Sequence, residues 1–94
     1  MLDEIINSLV ENPTEENKNQ YFTAVNQEEH RLLKEAHESP PKSTEFFSQR
    51  SKAFSLRRES AMKLISKWVA KYGSTENSPV SYADTLNIPF QTIK

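Results

Sequence analysis

His30 and His37 are the only two imidazoles in the chain, and imidazole is the side chain best suited to hold a metal or move a proton near neutral pH. On a helix their seven-residue spacing separates them by roughly 10 Å along the axis, too far to share one ion through ring nitrogens. The chain has no cysteine, which excludes disulfides, thiolate metal sites and cysteine nucleophiles. Carboxylates are plentiful before Pro40 and include the adjacent pairs Glu15-Glu16 and Glu28-Glu29. Adjacent helical residues point about 100° apart, so neither pair forms the two-carboxylate arrangement of an acid–base catalyst. They read as a solvated face. No serine stands in a Gly-x-Ser-x-Gly turn or at a spacing that brings it to a histidine. The one glycine leaves no phosphate-cradling loop or dinucleotide fingerprint. The expectation is a non-enzymatic chain with no catalytic residue, no metal, no cofactor and no small-molecule substrate.

Charge carries more information. The chain has a formal net charge of −1, but its segments differ sharply. Residues 1–41 hold three basic residues against nine carboxylates, a net of −6. Residues 42–73 hold eight basic residues against Glu45 and Glu59, a net of +6, and the remainder contributes −1. In one reading an acidic helix packs antiparallel to a basic one, with opposite charges flanking the shared apolar seam. In the other, part of the basic surface stays free and meets phosphates or an acidic protein.

These residues must be positioned by helices. Leu2, Ile5, Ile6, Leu9 and Val10 follow the i, i+3, i+4, i+7 pattern of a short first helix. Asn12 as a cap and Pro13 as the first helical residue predict a second helix over about 13–38, with Phe22, Val25, Leu32 and Ala36 on its apolar face, Tyr21 and Leu33 beside them, and Glu29 interrupting. Ser39-Pro40-Pro41 ends it. A third helix, capped by Ser43 or Thr44 and terminated at Gly73, spans about 44–72. Its Phe47, Phe54, Ala61 and Trp68 recur every seven residues, and Ile65, Val69 and Tyr72 widen the stripe. After a polar linker, Ser81 with Asp84 predicts a short helix over Pro79 to Leu86. No strand pattern competes. The fold class is all-α: an antiparallel helix hairpin (about 13–38 and 44–72) with a short N-terminal helix and a short C-terminal helix or arm. Residues 1–73 form the helical bundle core, and 74–94 a linker and C-terminal piece of the same single domain.

With Phe54 at the centre of the third helix's stripe, Arg58 lies about 40° to one side, and Arg50 and Arg57 about 40° and 60° to the other. Those arginines rim the apolar face. A buried arginine is costly unless paired, so carboxylates like Glu29 receive them or this half of the face docks a partner. Lys52, Lys63 and Lys67 fall on the far side.

The run Ala83-Asp84-Thr85-Leu86-Asn87-Ile88-Pro89-Phe90-Gln91-Thr92-Ile93-Lys94 resembles the turn of a helix-turn-helix, in the Ala-x-x-Leu-x-Ile-Pro-x-x-Thr-(Val/Ile)-Lys form of sigma-factor-type DNA readers. The resemblance covers 12 of the 94 residues. It implies that Ala83 and Leu86 pack a first helix, Ile88 anchors the turn, and Gln91, Thr92 and Lys94 approach DNA. The competing reading is a tail that packs Leu86, Ile88, Phe90 and Ile93 against the bundle or a partner.

The functional expectation is therefore a macromolecule-binding module: a protein–protein interaction regulator, inhibitor or assembly adaptor. Arg50, Phe54, Arg57, Arg58 and Phe46 would meet an acidic or apolar patch of another protein, with self-association as a homodimer through the long hairpin as a further option. The alternative is a nucleic-acid-binding protein using Arg57, Arg58, Lys63, Lys67, Lys71, Gln91 and Lys94 on DNA or RNA phosphates. Apolar runs such as Ile5-Ile6 and Leu64-Ile65 are too short to span a bilayer, and Asp3-Glu4 does not suit a signal peptide. A cytoplasmic, reducing location without membrane contact is the corresponding expectation.

Overall fold

A computed structural model describes residues 2–38 and 43–88. Among these the chain is all-α, with α1 (Leu2–Glu11), α2 (Glu15–Glu38), α3 (Thr44–Tyr72) and α4 (Tyr82–Leu86). The expected fold class is the observed one.

Local chemistry sets the helix ends. Asp3 and Glu4 open α1, and Glu15 and Glu16 open α2, where carboxylates meet the positive end of the helix dipole. The expected start of α2 at Pro13 is corrected by two residues. Thr14 is the cap, its Oγ1 accepting from the Asn17 backbone N–H at 3.1 Å. Asn17 in turn donates its side-chain amide to the Asn12 carbonyl at 2.8 Å and the Ser8 carbonyl at 3.3 Å, which stitches the α1–α2 turn. Ser43 caps α3 through the Phe46 N–H, and Gly73 closes it at φ 87, a left-handed conformation that costs glycine little. Ser81 and Asp84 form the expected capping box, but it opens α4 at Tyr82, leaving Pro79 and Val80 outside the helix.

α1 lies alongside α3 in the same direction. Asp3 pairs with Lys63 at 3.1 Å, Glu11 pairs with Lys71 at 2.6 Å, and the Tyr72 hydroxyl donates to the Val10 carbonyl at 2.7 Å. The core gathers Ile6, Leu9 and Val10 of α1, Tyr21 and Val25 of α2, Leu64 and Trp68 of α3, and Val80 and Ile88 flanking α4. The C-terminal piece is thus built into the core by two buried side chains. Toward the other end the hairpin narrows to two helices, and its buried apolar residues are the smaller set Leu32, Ala36 and Ala53. The molecule is correspondingly long, 45 × 21 × 21 Å.

The seven-residue line on α3 does not stay in the core. Trp68 and Ala61 are buried, whereas Phe54 is 66% and Phe47 57% exposed. A straight α-helix drifts about 20° for each seven residues, so the line winds off the buried face as it runs toward the N-terminus. The widening residues divide as well. Ile65 is half-buried, and Val69 and Tyr72 are exposed, although the Tyr72 ring stacks on Trp68 at 4.1 Å between centroids.

Tyr21 ties α4 to the bundle through a buried bond between its hydroxyl and that of Thr85, 2.9 Å long. Burial pushes the Tyr21 phenol above its ordinary value, with the Thr85 bond acting in the opposite sense. The unfolded chain releases this proton near pH 10 and the folded chain only above that, so folding stability falls as pH rises past about 10. Thermal melts from pH 9 to 11 are expected to show that fall, and Tyr21→Phe to remove the Tyr21 part of it. An unchanged alkaline limb in Tyr21→Phe would contradict the assignment.

Candidate protein-docking face

The arginines that rim α3 meet three different fates. Arg57 is buried, 5% exposed, and holds the equally buried Glu29 through two parallel bonds, Nε to Oε2 at 2.8 Å and Nη2 to Oε1 at 2.9 Å. Its Nη1 donates to the Leu86 carbonyl at 2.9 Å, at the end of α4. Glu29 interrupts the apolar stripe of α2 because it faces this guanidinium. The expectation that Arg57 docks a partner or a phosphate is therefore corrected: its donors are spent inside the fold, joining α2, α3 and α4.

Arg50 is exposed and lies between two aromatic rings, 5.4 Å from the centroid of Phe46 and 5.2 Å from that of Phe54. Residues at i, i+4 and i+8 stack in this way on one helix face. Phe46 is half-buried and meets Phe47 edge to face, centroids 5.4 Å apart. Arg58 is exposed, on the other side of Phe54.

The basic character of α3 is dispersed by the fold. Lys63 and Lys71 are taken by Asp3 and Glu11 of α1. The Lys63 ammonium holds the Asp3 carboxyl below the usual carboxylate range, and Glu11 raises Lys71. Lys67 lies about 180° around the helix from Arg58, and Gln91 and Lys94 fall outside the described residues. The reading in which an acidic helix packs antiparallel to a basic one holds for the packing of α2 on α3 but for few of the charges. On α2, Glu28 and Glu35 bind Arg31 of the same helix, and Glu28 is lowered by that contact. Among the described residues, the ion pairs from α3 to α2 reduce to Glu29–Arg57, and α1 supplies the other two anions.

One outward sector of α3 is nearly uncharged. Across a sector of roughly 120°, at about 100° per residue, lie the apolar residues Phe47, Phe54, Met62, Ile65, Val69 and Tyr72. Thr44, Ser48, Ser51, Ser55 and Ser66 fill the spaces, and Arg58 is the one charge. All are exposed or half-buried, with Met62 as open as Phe47 at 57%. A helix face left to water normally carries charge. The spacing 47, 51, 54, 58 and 62, 65, 69, 72 alternates threes and fours, the pattern by which one helix receives another. Sequence reasoning reached Phe46, Arg50, Phe54 and Arg58 but missed Met62, Val69 and the serines. The available signal was the absence of charge at those positions, more than the presence of any motif.

No family model, curated protein or solved structure matches this chain.

A cleft of about 480 Å³ lies between α2 and α4, lined by Lys18, Phe22, Thr23, Asn26, Asp84, Asn87 and Ile88. Its ionisable groups have structural work: Lys18 contacts Glu15 at 3.4 Å, and Asp84 accepts the Ser81 N–H. Among the described residues no three His, Asp or Glu side chains gather as a metal site, and no helix is long and apolar enough to cross a membrane. In the helix-turn-helix-like run, Thr85 and Ile88 are buried, Leu86 is 42% exposed, and residues 89–94 lie outside the described residues.

Proposed function

We propose that this chain is a non-enzymatic protein-interaction module, a regulator or assembly adaptor, that receives a helix of another polypeptide on the outward face of α3. The observation that supports it is the exposed, almost uncharged surface from Phe47 to Tyr72, with the Phe46–Arg50–Phe54 stack along one edge. Aromatic residues and arginine supply most of the binding energy at protein interfaces, and a stacked guanidinium loses little further freedom on docking. A phosphate-binding surface needs clustered free cations instead. Here Arg57 is already paired inside the fold, and Lys63 and Lys71 are paired at its surface with Asp3 and Glu11.

Photo-crosslinking tests the reading. A benzophenone amino acid replacing Met62 on the face, or Lys67 on the opposite side, is introduced into the full chain in cells. Met62 is expected to give a discrete protein adduct and Lys67 none. Equal adducts from both positions, or an adduct of Met62 with nucleic acid in place of protein, would overturn it.

A further inference from the structure

We infer that the helix received on the α3 face is α3 of a second copy of this chain, running antiparallel to the first. This rests on the docking-face reading and names its occupant. The charges at one edge of the face carry the inference. Glu59 and Lys52 are both exposed just outside the sector, about 20° and 40° beyond its Ser48–Ser66 edge, and neither has an ion-pair partner among the described residues. They stand seven residues apart, roughly 10 Å along the axis, so they cannot pair within one helix. Two antiparallel copies related by a two-fold axis level with residues 55 and 56 place each Lys52 opposite the Glu59 of the other copy, satisfying both charges twice over. That register brings Phe47 to within one residue, about 1.5 Å, of the level of Ile65 of the second copy, and Arg58 equally close to the level of its Phe54 ring, the stacking partner an exposed arginine favours. The serines between these residues let the helices approach. One face thus supplies both halves of the match, as a two-fold interface requires. It also covers the end of the hairpin where only two helices shield one another.

Sedimentation equilibrium of the full chain tests this. The expected mass is twice the 10.9 kDa of the single chain. At low salt, Glu59→Lys and Lys52→Glu are each expected to weaken the dimer about tenfold, since two like-charge contacts replace two attractive ones. The double variant Lys52→Glu/Glu59→Lys returns it toward the starting affinity. Phe54→Lys gives a monomer whose helical circular dichroism is retained. A wild-type chain that stays monomeric up to about 1 mM, or a double variant no better than the singles, overturns the inference. A monomer that still forms the Met62 adduct with a different protein fails the second-copy assignment and leaves the docking face standing. A monomer with no protein adduct removes both.

Discussion

Arg57→Ala is expected to destabilise the fold by about 3–5 kcal/mol, because it leaves the Glu29 carboxylate buried without a counter-charge. Glu29 is 4% exposed, and both its oxygens are held by the guanidinium. The variant also removes the donor to the Leu86 carbonyl, so α4 loosens together with the α2–α3 contact. Arg57→Lys is no remedy, since an ammonium cannot reproduce the two-pronged contact. Replacing the whole pair is a different matter. Buried ion pairs repay their desolvation incompletely, so Glu29→Leu combined with Arg57→Met is expected to recover stability to within about 1 kcal/mol of wild type or above it. Urea unfolding of the two single variants and the double closes the cycle. Arg58→Ala, one residue further on, serves as the control and should change stability by less than about 0.5 kcal/mol in dilute solution. If Arg57→Ala behaved like Arg58→Ala, the ion pair would not be a structural element and the arginine would return to the docking surface.

Trp68→Ala and Phe54→Ala are expected to differ by several kcal/mol although both residues lie on the same seven-residue line. Trp68 is 4% exposed and packs among Leu9, Val25 and Leu64 in the core. Its removal costs about 3–5 kcal/mol in transfer and cavity terms. Its indole Nε1 has no hydrogen-bond partner among the described residues, so the loss is one of packing. Against a total stability of roughly 5–14 kcal/mol for a chain of this length, such a loss consumes much of the fold. Phe54, 66% exposed, costs less than about 0.5 kcal/mol when truncated at concentrations too low for self-association. Its effect appears in binding. Melting temperatures of the two variants, measured at the same low concentration, check the contrast. Equal losses would mean that Phe54 is buried and that the outward face is drawn in the wrong place.

The helix ends and the all-α class were legible because they depend on local chemistry. Ser43 and Gly73 bound α3, and Ser81 with Asp84 caps α4, through contacts within a few residues of chain. Thr14 displaced Asn12 as the cap of α2 because two neighbouring residues could each serve, and Asn17 decided between them by bonding the Asn12 carbonyl. Glu29 was visible as an interruption and Arg57 as a rim residue, but their union was not: 28 residues separate them. The sequence posed the alternatives for each arginine without choosing among them.

The sequence by itself determined that the chain forms helices, where they stop, and that its charge is divided between an acidic first part and a basic second part. Caps, proline breaks and apolar spacing act over one or two turns, which is the range a linear reading covers. Only the tertiary structure decided how the divided charge is spent. α1, placed alongside α3, takes Lys63 and Lys71, and Glu29 takes Arg57 into the interior. It also decided which of four equally spaced residues enter the core. A seven-residue line winds around a straight helix, and burial follows the position of the neighbouring helices. Trp68 and Ala61 fall beneath them, and Phe54 and Phe47 are left facing outward.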